Sequence, residues 1–262
     1  QCPRLKIVAN IAVGYNNIDL AACTKRGVLA TNTPDVLNEA TADHAWALLL
    51  AAARRLGESE RWLRAGNWRR WTFEMFNGAE FYGKTLGILG MGRIGRAIAR
   101  RASGFSMQVI YCNRTRLAPS EENGARYVPF DVLLHESDHL ILMVPYSQAV
   151  HHIIGAKELS QMKPGAVLVN LARGGVVDDA ALAAALRSGH LAAAGLDVFE
   201  NEPALNPELL KLENVVLTPH IASSTRETRT AMADCAITNV RAALDGRTPP
   251  SLLNPEALKN RR

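Results

Sequence analysis

The stretch Gly90-Met91-Gly92-Arg93-Ile94-Gly95 constrains this chain more than any other. Glycines at that spacing are common by themselves, so the pattern gains its meaning from its flanks. It follows the apolar run Leu86-Gly87-Ile88-Leu89 and opens a helical pattern from Ile94 to Ala102. In such a strand-turn-helix unit the first glycine permits the tight turn and the second lets backbone approach a pyrophosphate. The third lets the helix lie close on the strand. The helix N-terminus then faces the anion, because its first N–H groups have no partner within the helix. Gly90, Gly92, Arg93, Ile94 and Gly95 are therefore the first candidate dinucleotide contacts.

The pattern downstream alternates short apolar strands with helices. Strands are expected at Gln108 to Cys112, His139 to Val144, Ala166 to Asn170, Ala193 to Asp197 and Val215 to Leu217. Helices are expected near Phe130 to Glu136 and Asp178 to Arg187. Alternation of this kind builds a doubly wound parallel sheet, so the fold class is α/β of the Rossmann type. Upstream, Lys6 to Ile11 and Val28 to Thr31 read as strands around a helix capped by Asp19 and stopped by Gly27. After Pro34, Asn38 is placed to cap a helix whose apolar residues Ala42, Ala45, Trp46, Leu49, Ala53 and Leu56 recur at helical spacing. Ser224 to Leu244 is a further helix, ended by Gly246 and Pro249-Pro250. These patterns divide the chain into residues 1–40, a small partial domain; 41–222, the dinucleotide-binding domain; and 223–262, a helix and tail returning to the first piece. The first piece has too few strands to cover both faces of a sheet, and the chain starts at Gln1 rather than Met. It is expected to be cut through a domain, and to bind cofactor while turning over poorly.

Composition excludes several classes. The 262 residues are 48% hydrophobic and 21% charged, as in ordinary globular domains. The longest apolar run, Ala45 to Ala53, is far below the roughly 20 residues that span a bilayer. The first residues lack a basic start followed by an apolar stretch, so a cytoplasmic protein without a membrane partner is expected. Cys2, Cys23, Cys112 and Cys235 are widely spaced, which predicts reduced, mostly buried thiols. The net charge of +5 comes from charges of both signs alternating along the chain. The basic and aromatic cluster from Arg61-Trp62 to Trp71 reads as a solvated amphipathic linker, so no nucleic-acid partner is expected. His135 with His139, and His151-His152, are set aside as metal ligands. Ser137-Asp138 breaks the helix between the first pair, and no cluster of other ligands accompanies either in the sequence.

The second strand of the nucleotide unit ends in Cys112-Asn113-Arg114-Thr115-Arg116. NAD-binding versions place a carboxylate there, on the ribose hydroxyls. None is present, and the Arg114 and Arg116 guanidinium groups instead suit a 2'-phosphate. NADP(H) is therefore the expected cofactor, with NAD(H) as the alternative, and Asn113, Arg114, Thr115 and Arg116 join the candidate contacts.

Parallel sheets place their ligands at the carboxyl ends of the strands. There lie Asn170-Leu171-Ala172-Arg173-Gly174-Gly175, Asp197-Val-Phe-Glu200-Asn-Glu202-Pro203 and Thr218-Pro-His220-Ile-Ala222. In this order after the glycine turn, the motifs resemble the D-isomer-specific 2-hydroxyacid dehydrogenase family over essentially the whole chain. Val13-Gly14-Tyr15, Thr31-Asn-Thr-Pro34, Ala40-Thr-Ala-Asp43 with Trp46, and Gly83-Lys-Thr-Leu-Gly-Ile are most similar to its glyoxylate and hydroxypyruvate reductase branch. The resemblance implies catalytic roles for Arg173, Glu202 and His220, and a second, smaller, flavodoxin-like α/β substrate domain that is truncated at its N-terminus. It further implies dinucleotide contacts from Val144, Pro145, Leu171, Ala172, Arg173, Asp197, His220 and Ala222, with Asp197 accepting from the nicotinamide amide. Substrate contacts fall on Val13 and Gly14, whose backbone N–H groups grip the carboxylate, and on Arg173 and His220. The branch commonly uses NADPH, and relatives pair as dimers.

The implied chemistry suits the residue types. A 2-oxo acid needs a cation for its carboxylate, a hydride donor and a proton for the developing alkoxide. Arg173 offers a permanent forked charge, and a histidine such as His220 transfers protons near neutral pH. The expected reaction is NADPH-dependent reduction of glyoxylate or hydroxypyruvate, with 2-ketogluconate or another 2-oxo acid as rival substrate. The rival of a different class is a cofactor-gated, corepressor-like binding protein. Asn16 departs from the Asp often found at that turn in relatives, a substitution the turn tolerates.

Overall fold

The computed structural model describes Cys2 and residues 4–260, so the start at Gln1 lies outside the described residues. In chain order the elements are β1 (Ile7–Ala9), α1 (Leu20–Lys25), β2 (Leu29–Thr31), α2 (Asn38–Ala53), α3 (Leu56–Arg64), β3 (Thr85–Leu89), α4 (Arg93–Ala102), β4 (Gln108–Cys112), α5 (Pro119–Glu122), β5 (Arg126–Tyr127), α6 (Phe130–Glu136), β6 (His139–Leu142), α7 (Ala156–Gln161), β7 (Ala166–Asn170), α8 (Asp179–Arg187), β8 (Leu191–Leu196), β9 (Val215–Leu217) and α9 (Arg226–Leu244). They form two compact units, one of residues 1–40 with 223–262 and one of residues 41–222.

The larger unit is built on a parallel sheet of seven strands in the order β5-β4-β3-β6-β7-β8-β9. The order reverses between β3 and β6, and at such a switch point helices leave on opposite faces and open a crevice. Two buried clusters flank the sheet. One includes Leu133, Leu140, Leu168, Leu182 and Leu196, and the other Trp46, Ile88, Ile98, Tyr111 and Val169. Strands such as β7, buried at every residue and apolar up to Asn170, are what burial on both faces demands. Trp46 anchors α2 to this unit: its indole N–H donates to the Ile98 carbonyl at 3.1 Å, and its ring stacks on Phe105 at 4.7 Å.

The helical pattern read from Asn38 through Leu56 is two helices. Arg55 takes a left-handed conformation, φ 53°, and its guanidinium is held by both Glu58 oxygens. The break redirects the chain while leaving the apolar spacing intact, so periodicity alone does not show it. Asn38 is itself the first residue of α2, and its amide donates to Asp35 Oδ1. β5, α5 and α7 are additional to the expected elements, each only 2 to 6 residues long.

In the smaller unit β1 and β2 pair in parallel and α1 connects them. Asp19 caps α1 as expected, accepting the Ala22 N–H at 2.8 Å. The chain's two ends are tied together through Asn254, which accepts the Ala30 N–H and donates to the Val28 carbonyl. All four cysteines are free, and none is fully buried, contrary to the expectation of mostly buried thiols. Among the described residues no helix is long and apolar enough to cross a membrane.

Candidate active site

The turn after β3 has the form its glycines imply. Gly90 has φ 104°, and a Cβ there would lie 2.7 Å from the Met143 carbonyl carbon. A Cβ on Gly95 would lie 2.3 Å from the Gly90 oxygen, so α4 sits on the turn as only glycine allows. A Cβ on Gly92 would meet nothing within 4 Å, which leaves the concave side of the turn open. Gly92 also begins α4 without any side-chain cap, so its first N–H groups present an anion cradle. This open, donor-lined turn fits a dinucleotide pyrophosphate. Asn113 stabilises it by accepting the Met91 N–H at 2.7 Å.

Of the two arginines beyond β4, Arg114 is exposed, as is Thr115. Arg116 is exposed as well but differs in its pairing, because Glu122 takes its fork at 2.8 and 3.1 Å and also accepts the Tyr111 hydroxyl. The two guanidiniums are therefore not equivalent toward a phosphate.

Arg173, Glu202 and His220 come from the segments following β7, β8 and β9. His220 Nδ1 lies 2.8 Å from Glu202 Oε2, while Glu202 Oε1 accepts the Phe199 N–H at 2.9 Å. The Glu202 carboxylate is thus fixed at one oxygen and directed at the imidazole with the other. Arg173 is partly buried; desolvation pulls its guanidinium below the usual arginine value and the Glu202 charge opposes this. It remains a cation at any physiological pH. The turn carrying it is held by Asn170, whose Oδ1 accepts the Ala172 N–H and whose amide donates to the Arg173 carbonyl. Leu171 and Ala172 are buried within that turn, while Val144 and Ala222, partly exposed, and Pro145, exposed, follow the carboxyl ends of neighbouring strands.

Asp197 is built into the turn that follows β9. It is 1% exposed, and its oxygens already accept the Ile221 and Ala222 N–H groups and the Thr218 hydroxyl. His44 reaches both Thr218 Oγ1 and Asp197 Oδ1. Burial would raise this carboxyl, but the hydrogen bonds from His44, Thr218 and the two amides outweigh it and hold it below the ordinary carboxylate range. Asp197 shapes the Thr218–Ala222 turn, in which His220 adopts φ 53°. His44 was not legible as a partner, being 153 positions from Asp197 in a helix whose pattern reads simply as core.

Val13 and Gly14 lie in the smaller unit, partly buried. Their carbonyls accept from Asn32 and Asn10 at 2.9 and 2.7 Å, which fixes the loop and leaves its carbonyls occupied. Asn10 belongs to no motif in the sequence, and Asn32 lies in the Thr31–Pro34 motif without its tie to Val13 being legible there.

The histidine pairs separate. His135 is exposed, whereas His139 is buried, stacked on Phe81 and bonded to the Glu80 carbonyl. His151-His152 is not isolated as expected: folding brings Glu200 to it, with ligand-type atoms of all three within 4.8 Å of one another.

The sequence pattern described as "D-isomer specific 2-hydroxyacid dehydrogenase, NAD binding domain" matches residues 46–222. This chain belongs to the D-isomer-specific 2-hydroxyacid dehydrogenase family. The dehydrogenase is 54% identical to the glyoxylate reductase of Pyrococcus furiosus, over 100% of this chain and 80% of that protein. It is 51% identical to the glyoxylate reductase of Aeropyrum pernix, again over 100% of this chain and 80% of the relative. Among solved structures it resembles the NADPH-dependent glyoxylate/hydroxypyruvate reductase of Sinorhizobium meliloti, in complex with NADP and malonate. That likeness has a TM-score of 0.90 and 41% identity, over 99% of this chain and 80% of that one. The dehydrogenase is an oxidoreductase with a Rossmann-type nicotinamide-cofactor domain.

Proposed function

We propose that this dehydrogenase reduces glyoxylate or hydroxypyruvate to the 2-hydroxy acid with NADPH, in the cytoplasm, using Arg173, Glu202 and His220. The observation that carries the reading is the convergence of a partly buried guanidinium and a carboxylate-bound imidazole at the carboxyl ends of three adjacent strands. A dinucleotide held by its pyrophosphate at the Gly90–Gly95 turn would supply the hydride from its nicotinamide. Arg173 pairs its fork with the substrate carboxylate and so orients the carbonyl. His220 donates the proton to the developing alkoxide from Nε2, because its Nδ1 is engaged by Glu202. Glu202 holds the ring in that orientation and stabilises the imidazolium. Relatives named glyoxylate reductases, at more than half identity, support the choice of substrate.

The preference for NADPH rests on the loop after β4, which offers arginines where NAD enzymes offer a carboxylate. Because Glu122 shares the fork of Arg116, Arg114 carries more of the 2'-phosphate. Initial-rate measurements with NADPH and NADH are expected to show a several-fold preference for NADPH. Arg114→Ala is expected to raise the NADPH KM more than Arg116→Ala, with NADH kinetics little changed. Equal effects on both cofactors, or a native preference for NADH, would contradict the assignment.

The reading extends to a homodimer. Trp68, Trp71, Phe73 and Tyr82 are 57%, 70%, 83% and 74% exposed, far more aromatic surface than an isolated subunit ordinarily presents in one segment. Trp71→Ser with Phe73→Ser is expected to shift sedimentation from dimer to monomer; an unchanged dimer rejects this surface.

A further inference from the structure

Arg173 and Glu202 sit on different loops, and what keeps those loops in register is a second set of residues. Glu200, two positions before Glu202, has both carboxylate oxygens engaged: Oε1 lies 2.5 Å from His152 Nε2 and Oε2 accepts the Asp179 N–H at 3.3 Å. The Glu200 N–H in turn donates to Asp179 Oδ2 at 3.1 Å, and Asp179 is 3% exposed. His152 holds the other loop through its backbone, donating its N–H to the Gly175 carbonyl at 2.7 Å from a left-handed conformation of φ 51°. Between these ties the loops touch directly, since a Cβ on Gly174 would lie 1.7 Å from the Phe199 oxygen. Arg173 directly precedes Gly174, and Phe199 donates the N–H that fixes Glu202.

We propose that His152, Glu200 and Asp179 form a clamp that sets the separation of Arg173 from the Glu202–His220 pair, making His152 and Glu200 positioning residues for the chemistry. The inference rests on the catalytic reading of Arg173, Glu202 and His220. Three features set this clamp apart from an incidental ion pair. It joins the loop that carries Arg173 to the loop that carries Glu202. It uses both oxygens of Glu200 and the reciprocal bonds of Asp179. It also holds His152 in a backbone region that side-chain-bearing residues keep only where surrounding contacts enforce it. A displacement of about 1 Å at a reacting group lowers turnover by as much as about 10²-fold, so a clamp remote from substrate can act strongly on kcat. The Gly90–Gly95 cradle belongs to another strand and shares no bond with the clamp, so the grip on the pyrophosphate is expected to survive its loss.

The test compares wild type, Glu200→Gln, His152→Asn and the double variant in steady-state reduction of glyoxylate by NADPH, alongside thermal unfolding. Asn is chosen at position 152 because it tolerates the left-handed backbone. Each single variant is expected to lower kcat by about tenfold or more while the NADPH KM stays within about twofold, and the double variant to be no worse than the poorer single, as for groups acting as one unit. A lower melting temperature with unchanged kcat, or losses that multiply in the double variant, would overturn the clamp. If Glu200→Gln does not fold, His152→Asn alone decides by the same kcat and KM criterion. The three ligand-type side chains add a second arm: EDTA treatment is expected to leave wild-type kcat unchanged, and a loss restored by Zn²⁺ would assign His151, His152 and Glu200 to a metal instead. A wild type inactive toward every 2-oxo acid would sink the catalytic reading itself, and the clamp with it. An active wild type with unaffected variants sinks the clamp alone.

Discussion

Single atoms decide much of this molecule, and Gly95 and Asp179 show two ways in which they do. A methyl group on Gly95 would approach the Gly90 oxygen to 2.3 Å, so Gly95→Ala must move α4 away from β3. Calorimetric titration with NADPH is expected to show binding weakened by at least about tenfold, because the donors of the helix N-terminus no longer converge. Asp179 is pushed up to about 6 by burial, with the charges of Glu200 and Asp178 adding to the rise and the Glu200 N–H and His152 opposing it. The folded protein therefore binds this proton more tightly than the unfolded chain, whose carboxyl titrates near 3.8. The group costs nothing below about pH 4, and its destabilisation grows as pH rises to about 6, to about 3 kcal/mol at neutrality. Asp179→Asn, which keeps the shape without the charge, is expected to be more stable than wild type in denaturant unfolding at about pH 7 and equal to it at about pH 4. A gap independent of pH would refute the burial of a charge as its cause. Arg173, Glu202 and His220 are legible in the sequence because each sits in a short, distinctive motif at a strand end. His44, Asn10, Asn32 and the His152–Glu200 contact are not, because their partners are fixed by tertiary folding and their residue types are ordinary.

At the scale of elements, strong periodicity reads true. β4, β7 and β9 fall at the residues that apolar patterning assigns, and α4 begins at the turn the glycines define. Weak elements do not: β5 pairs only Arg126 and Tyr127 at the sheet edge, too short for any alternation to register. The division of α2 from α3 is hidden for a different reason, as a left-handed arginine supported by Glu58 carries no glycine or proline to announce it. α2 is held in place through Trp46, which joins a hydrogen bond to Ile98 with stacking on Phe105. Trp46→Ala is expected to lower stability by about 3–5 kcal/mol in chemical denaturation, and a loss below about 1 kcal/mol would show that α2 is anchored elsewhere.

Taken whole, the chain assigns its tasks by unit and by strand. The larger unit holds the glycine cradle on β3, the two arginines beyond β4, and Arg173, Glu202 and His220 beyond β7, β8 and β9. The smaller unit holds the Val13–Gly14 loop, whose carbonyls accept from Asn32 and Asn10. Parallel topology explains the arrangement, since every strand of the large sheet delivers its carboxyl end to the same edge. The proton transfer assigned to His220 is the central claim. The direct test is the rate of NADPH consumption with glyoxylate by wild type and by His220→Asn, together with NADPH affinity for each. Turnover by wild type and a loss of about 10²–10⁴-fold in kcat in the variant, with NADPH still bound, is the expected result; a variant that keeps wild-type kcat would contradict it.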